Sequence, residues 1–222
     1  MLRKSRGISL VELLITMAIS MIVIAGTMVF YVSTAKSSTQ NSSTVRLNQE
    51  LRSAMDLISR DIRRAGYRGN AQNCVGVGYS NYVNSGTTTC SAFAAYTLTS
   101  TSQIEFSYDE NSSATQETSS PDERYGYRLN SGEIEVKTGG GWQPLTDANL
   151  VTITNLNFAE STRHMNVNTS AAVSGGCASI AGTPCVSVRT ISITITGQLP
   201  NDATVQRTLS ENARIRNDAF SI

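Results

Sequence analysis

Glu12 is the only charged residue in an apolar run from Ile8 to about Val32, and the next positive charge is Lys36. A carboxylate inside such a span costs roughly 2.5–3.5 kcal/mol on membrane-insertion scales. A segment that keeps one therefore uses it, and the chemistry open to it is to hold a cation or a proton. Behind it lies Met1-Leu2-Arg3-Lys4-Ser5-Arg6-Gly7, with three basic residues in seven.

The other reactive side chains are few. Four cysteines, Cys74, Cys90, Cys177 and Cys185, all follow the apolar run. None forms a C-x-x-C pair, which argues against zinc. An even number beyond a membrane segment points to two disulfides in an oxidising compartment, and reduced buried thiols are the alternative. Of the three connectivities, Cys74–Cys90 with Cys177–Cys185 is favoured, because each closes a short local loop. Carboxylates gather in 109–124 (Asp109, Glu110, Glu117, Asp122, Glu123). Calcium takes oxygen ligands of this kind, but the spacing fits no EF-hand and solvation suffices, so no metal or other cofactor is expected. The one histidine, His164, falls in a polar stretch and reads as a solvated surface side chain in a loop. Gly139–Gly141 lack the lysine and hydroxyl of a phosphate loop and read as a turn. Nothing here resembles an enzyme's constellation.

The apolar run exceeds the ~20 residues that cross a bilayer as a helix. With basic residues before it and almost none close behind, the N-terminus should lie in the cytoplasm and the rest outside. Three readings compete. A secretory signal peptide would be cut after Ser33-Thr34-Ala35, but the run is too long for one and contains an acid. A plain signal anchor leaves Glu12 unexplained. The third takes Gly7-Ile8-Ser9-Leu10-Val11-Glu12-Leu13-Leu14 as a unit. It resembles the prepilin cleavage motif of type IV pilins and type II secretion pseudopilins, with Ile8 where phenylalanine is usual. The resemblance implies that a prepilin peptidase cuts between Gly7 and Ile8 and methylates the new N-terminal amine of Ile8. Glu12 then becomes the fifth mature residue and the assembly glutamate. In low-dielectric surroundings the amine of one subunit and the acid of its neighbour relieve each other's burial cost, which favours one axial register.

The helix that carries these residues should continue beyond the membrane. No proline interrupts residues 1–120. After the polar stretch 37–44, Leu47, Leu51, Ala54, Ile58, Ile62 and Ala65 fall on one stripe. The opposite surface holds Glu50, Arg52, Asp56, Arg60, Arg63 and Arg64, and Gly66 is the expected stop. Such a helix from Ile8 to Ala65 would be about 87 Å long. Beyond it the pattern is β. Ile104, Phe106 and Tyr108 alternate. Tyr125, Tyr127 and Leu129 meet Ile134 and Val136 across Asn130-Ser131-Gly132, a hairpin signature. Val151 and Ile153, then Leu156 and Phe158, give another candidate. Ile191, Ile193 and Ile195 form the clearest strand, and 205–215 the last. Residues 66–100, 109–124 and 159–185 read as loops. The expected fold is α+β: a long N-terminal helix packed on an antiparallel sheet.

The segment from Ile58 through Arg60-Asp61 to Gly66-Tyr67-Arg68-Gly69 resembles the helix end of PilW-type minor pilins. Gly132 through Trp142-Gln143-Pro144-Leu145 to Phe158, and Val188 to Asn217, are similar to that family's sheet. GspJ-type pseudopilins share several of these patterns. The resemblance implies a leader over 1–7, a membrane and filament helix over 8–66, and a periplasmic head over 67–222. It implies a protein of the inner membrane and then of the pilus surface. Its partners would be prepilin peptidase, major and minor pilins, and the inner-membrane assembly platform. The implied role is in pilus initiation or the tip, with twitching motility, adhesion and DNA uptake. Net charge is +1, and no direct nucleic-acid site stands out. The alternatives are a minor pseudopilin of a type II secretion system and a membrane-anchored periplasmic binding domain that never polymerises.

Overall fold

The computed structural model describes residues 9–67, 69, 96–112 and 122–221. Gly7, Ile8, Cys74, Cys90 and Glu117, all singled out above, lie outside them. One helix, α1, runs from Leu10 to Arg64. The chain divides between Val45 and Arg46 into two compact units.

In the first unit α1 is apolar on every side from Leu10 to Val32 save at Glu12, with Leu10, Ile22, Val29 and Phe30 each more than 70% exposed. The hydroxyls of this segment bond backward along their own helix. Thr16, Ser20 and Thr27 donate to carbonyls three residues earlier, at 2.9 Å. Thr34, Thr39, Ser43 and Thr44 donate four residues back. Within the apolar run, Thr16, Ser20 and Thr27 thus satisfy their hydroxyls without water, as an apolar solvent demands.

In the second unit the expected stripe is the buried one: Leu47, Leu51, Ala54, Ile58, Ile62 and Ala65 are at most 3% exposed. Burying the leucine and isoleucine side chains among them stabilises by about 1.5–3 kcal/mol each. The helix stops at Gly66, whose φ of 71° suits glycine. The carbonyls at its end find partners far along the chain: Arg216 N–H donates to Arg63 and Asn217 Nδ2 to Ala65.

Two antiparallel sheets complete the unit, where the sequence pattern suggested one. The first is a meander of β1 (Thr97–Ser100), β2 (Gln103–Ser107), β3 (Arg124–Asn130), β4 (Glu133–Thr138) and β5 (Gly141–Pro144). The predicted hairpin is β3–β4, turning through Ser131 (φ 51°) and Gly132 (φ 86°). The second sheet comprises β6 (Thr152–Asn166), β7 (Cys185–Leu199) and β8 (Asp202–Arg214), with β9 (Ala219–Ser221) pairing β7 beyond the end of β8. Ile104, Tyr127, Leu156, Ile193 and Ile195, from both sheets, close over the helix stripe in one core.

The expected loops are shorter than the pattern suggested, and Thr97–Ser100, inside the expected loop 66–100, is strand β1. Residues 159–166 are strand, not loop: β6 runs to Asn166 in register with β7, so only 167–184 connects them. Val151/Ile153 and Leu156/Phe158 line the start of β6, the single candidate expected there. A register shift between Ile153 and Asn155 turns both pairs inward despite their odd spacing.

Candidate assembly and processing site

Ser9 precedes the helix, and its carbonyl accepts the Leu13 N–H at 3.1 Å. Glu12 sits in the first turn of α1 with its side chain exposed. An acid there faces the unsatisfied amides of the helix start and the positive end of the helix dipole. It is still the one charge on a surface of leucine, isoleucine, valine and methionine. That surface, exposed in the isolated chain, has to be covered by lipid or by other helices. Among the described residues α1 is the one helix long and apolar enough to cross a membrane. Glu12 thus lies on the described part of α1, while the bond between Gly7 and Ile8 lies outside the described residues.

Where α1 joins the head, its polar side chains are taken up by the sheets. Tyr127 of β3 donates its hydroxyl to Asp61 Oδ2 at 2.5 Å. Burial raises the Asp61 carboxyl above its ordinary value, opposed by the Tyr127 hydrogen bond and by Arg64 and Arg60. Burial and the facing Asp61 charge push the Tyr127 phenol upward as well. The Arg64 guanidinium lies 4.2 Å from the Tyr108 ring centroid, and Tyr108 stacks on Tyr125 at 4.1 Å. Arg63 pairs with Glu211 of β8 at 2.8 Å. These last-turn arginines also complement the negative end of the helix dipole.

Of the acidic loop, Asp109, Asp122 and Glu123 are buried. Their carboxylates accept hydrogen bonds from this loop and from Gly69. Asp109 Oδ2 accepts the Gly69 N–H, Glu123 Oε1 the Glu110 N–H, and Asp122 the backbone and guanidinium of Arg124. No group able to hold a metal ion occurs among the described residues.

Cys177 and Cys185 are bonded, with their Cα atoms 5.6 Å apart. His164, expected in solvent, instead stands on β6, half-buried, with Nδ1 2.8 Å from Ser187 Oγ and 3.6 Å from Cys177 Sγ. The cross-strand register that joins His164 to Ser187 is a long-range fact with no local signal.

Residues 2–28 match the prokaryotic N-terminal methylation motif. Residues 40–215 match the family described as prepilin peptidase-dependent protein B. No curated protein and no solved structure matches the chain. Motif, membrane-length helix and head agree, and the family match spans most of the chain: it belongs to the prepilin peptidase-dependent protein B family and is a type IV pilin-like protein.

Proposed function

We propose that this chain is a minor pilin of a type IV pilus, acting in the initiation of assembly or in the tip complex. Prepilin peptidase cleaves it between Gly7 and Ile8 and methylates the Ile8 amine. Before assembly it spans the inner membrane once, with residues 1–7 in the cytoplasm and the head, residues 67–222, in the periplasm. The observation that carries this reading is Glu12, one carboxylate on a helix surface that is otherwise apolar all round. A helix that only anchors a domain gains nothing from that charge. A helix that packs among copies with free N-terminal amines gains a register, because every subunit offers one cation and one acid at a fixed spacing. Burial of the surface from Leu10 to Val32 among neighbouring helices would follow from the same packing.

The test is the amount of sheared surface pili from a strain lacking the gene, complemented with wild type or with Glu12→Ala. Loss of pili restored by wild type alone supports the reading. Normal pili with a loss of exported proteins would assign the chain to a type II secretion system instead. An uncut leader, seen as an N-terminal peptide beginning at Met1, would overturn processing and assembly together.

A further inference from the structure

The Cys177–Cys185 bridge is chemically lopsided. Cys185 is fully buried, whereas Cys177 is half-exposed on a one-turn 3-10 helix, Cys177–Ile180. Cys177 Sγ lies 3.4 Å from Ser187 Oγ and 3.6 Å from His164 Nδ1, and those two atoms are 2.8 Å from each other. Gly176, at φ 84°, runs alongside the other edge of the imidazole, where a Cβ would be in ordinary contact with Nε2 at 3.6 Å. Ring and hydroxyl thus both stand within 3.6 Å of one sulfur.

We propose that Cys177 is the attacking thiol through which this disulfide is closed and exchanged, and that His164, oriented by Ser187, activates it. In the reduced protein His164 takes the Cys177 proton. The resulting imidazolium and the Ser187 hydroxyl then hold the thiolate, as a cationic neighbour does in reactive cysteines. That thiolate attacks one sulfur of an external disulfide. Its S–S bond breaks, one thiolate leaves, and a mixed disulfide forms on Cys177. Cys185 then gives up its proton, attacks Cys177 Sγ and expels the second external thiolate. The two protein thiols lose two electrons and two protons, and the external disulfide becomes two thiols. Burial bars Cys185 from making the first attack.

Few charged groups stand near His164. Residues 167–184, which cover it, contain no charged side chain, and neither do Ala219, Phe220 and Ser221 of β9. On its own strand face the charged groups are Glu160 and, across on β7, Arg189. Both engage Tyr96, Glu160 by a hydrogen bond and Arg189 with its guanidinium 5.6 Å from the ring centroid.

The full chain in detergent, reduced with a phosphine, is pulse-alkylated with iodoacetamide between about pH 5 and pH 9. Peptide masses then give separate rates for Cys177 and Cys185. Near pH 6 Cys177 should react about tenfold faster than Cys185, and His164→Gln should slow Cys177 about tenfold. Ser187→Ala, which keeps the imidazole, should lose less. With oxidised glutathione as the external disulfide, the trapped mixed disulfide should sit on Cys177. Equal rates at the two cysteines, or a Cys177 rate unchanged in His164→Gln of native circular dichroism, would overturn the assignment. So would glutathione found on Cys185. If His164→Gln does not fold, the wild-type rate ratio and the site of glutathione attachment still decide which cysteine attacks, and a Cys177 rate unchanged in Ser187→Ala would overturn its activation by the His164–Ser187 pair.

Discussion

The Tyr127 hydroxyl and the Asp61 carboxylate make a 2.5 Å hydrogen bond that ties α1 to the middle of the first sheet. Tyr127→Phe strips Asp61 of that donor while leaving the carboxyl buried, so it should cost about 1–3 kcal/mol. Urea denaturation of the detergent-solubilised protein measures it.

The same carboxyl sets a pH trend. Its folded-state value is raised from an ordinary 3.8, by burial above all. The folded chain therefore binds this proton more readily than the unfolded chain. The resulting stability is fully present below the ordinary value and is lost as pH rises through the raised one. Asp61→Asn cannot ionise and still accepts from Tyr127. It should gain on wild type as pH is raised from about 4 towards neutrality, in parallel denaturation curves.

Asp122 should show the opposite slope. Hydrogen bonds and charge from Arg124 hold its carboxyl below the ordinary value, against burial. Its contribution is present above the unfolded value and disappears as pH falls through the folded one. Asp122→Asn should cost about 1 kcal/mol at neutral pH, a modest figure because Arg124 is partly in solvent. The gap to wild type should narrow below about pH 4.

Gly197 of β7 lies directly under Leu51. A Cβ there would come within 2.9 Å of both Leu51 Cδ2 and Val151 Cγ1. Gly197→Ala should cost about 1–3 kcal/mol by overpacking, and Leu51→Ala about 2–5 kcal/mol by leaving a cavity. The double variant should lose less than the two together, since each change relieves the other.

Ser131 occupies a left-handed position, φ 51°, ahead of Gly132 at 86°. Asn-Gly is the preferred pair in such two-residue hairpins. Ser131→Asn should raise stability by about 0.5 kcal/mol, seen as a small increase in Tm.

Much of this was legible in the sequence because it is written locally. The stripe from Leu47 to Ala65 needs only a period near 3.6, and the β3–β4 hairpin only alternation around Ser131-Gly132. Glu12 announces itself by its solitude. What could not be read is set by pairing at a distance. Residues 159–166 carry polar side chains on both faces, and become strand only because 185–192 lie beside them. β1 and β5, four residues each, are too short for a pattern. His164 looked idle because Ser187 and Cys177 reach it only once the chain is folded.

The tie between Asn217 and the Ala65 carbonyl spans 152 residues. At ~5–20 residues per second of synthesis, the end of α1 therefore waits about 8–30 s on the ribosome for its own stopper. Until then the nascent helix end is open. A chain stalled or clipped just short of Asn217 would carry nearly all its core side chains yet fray where helix meets head, which marks such products for the cell's proteases.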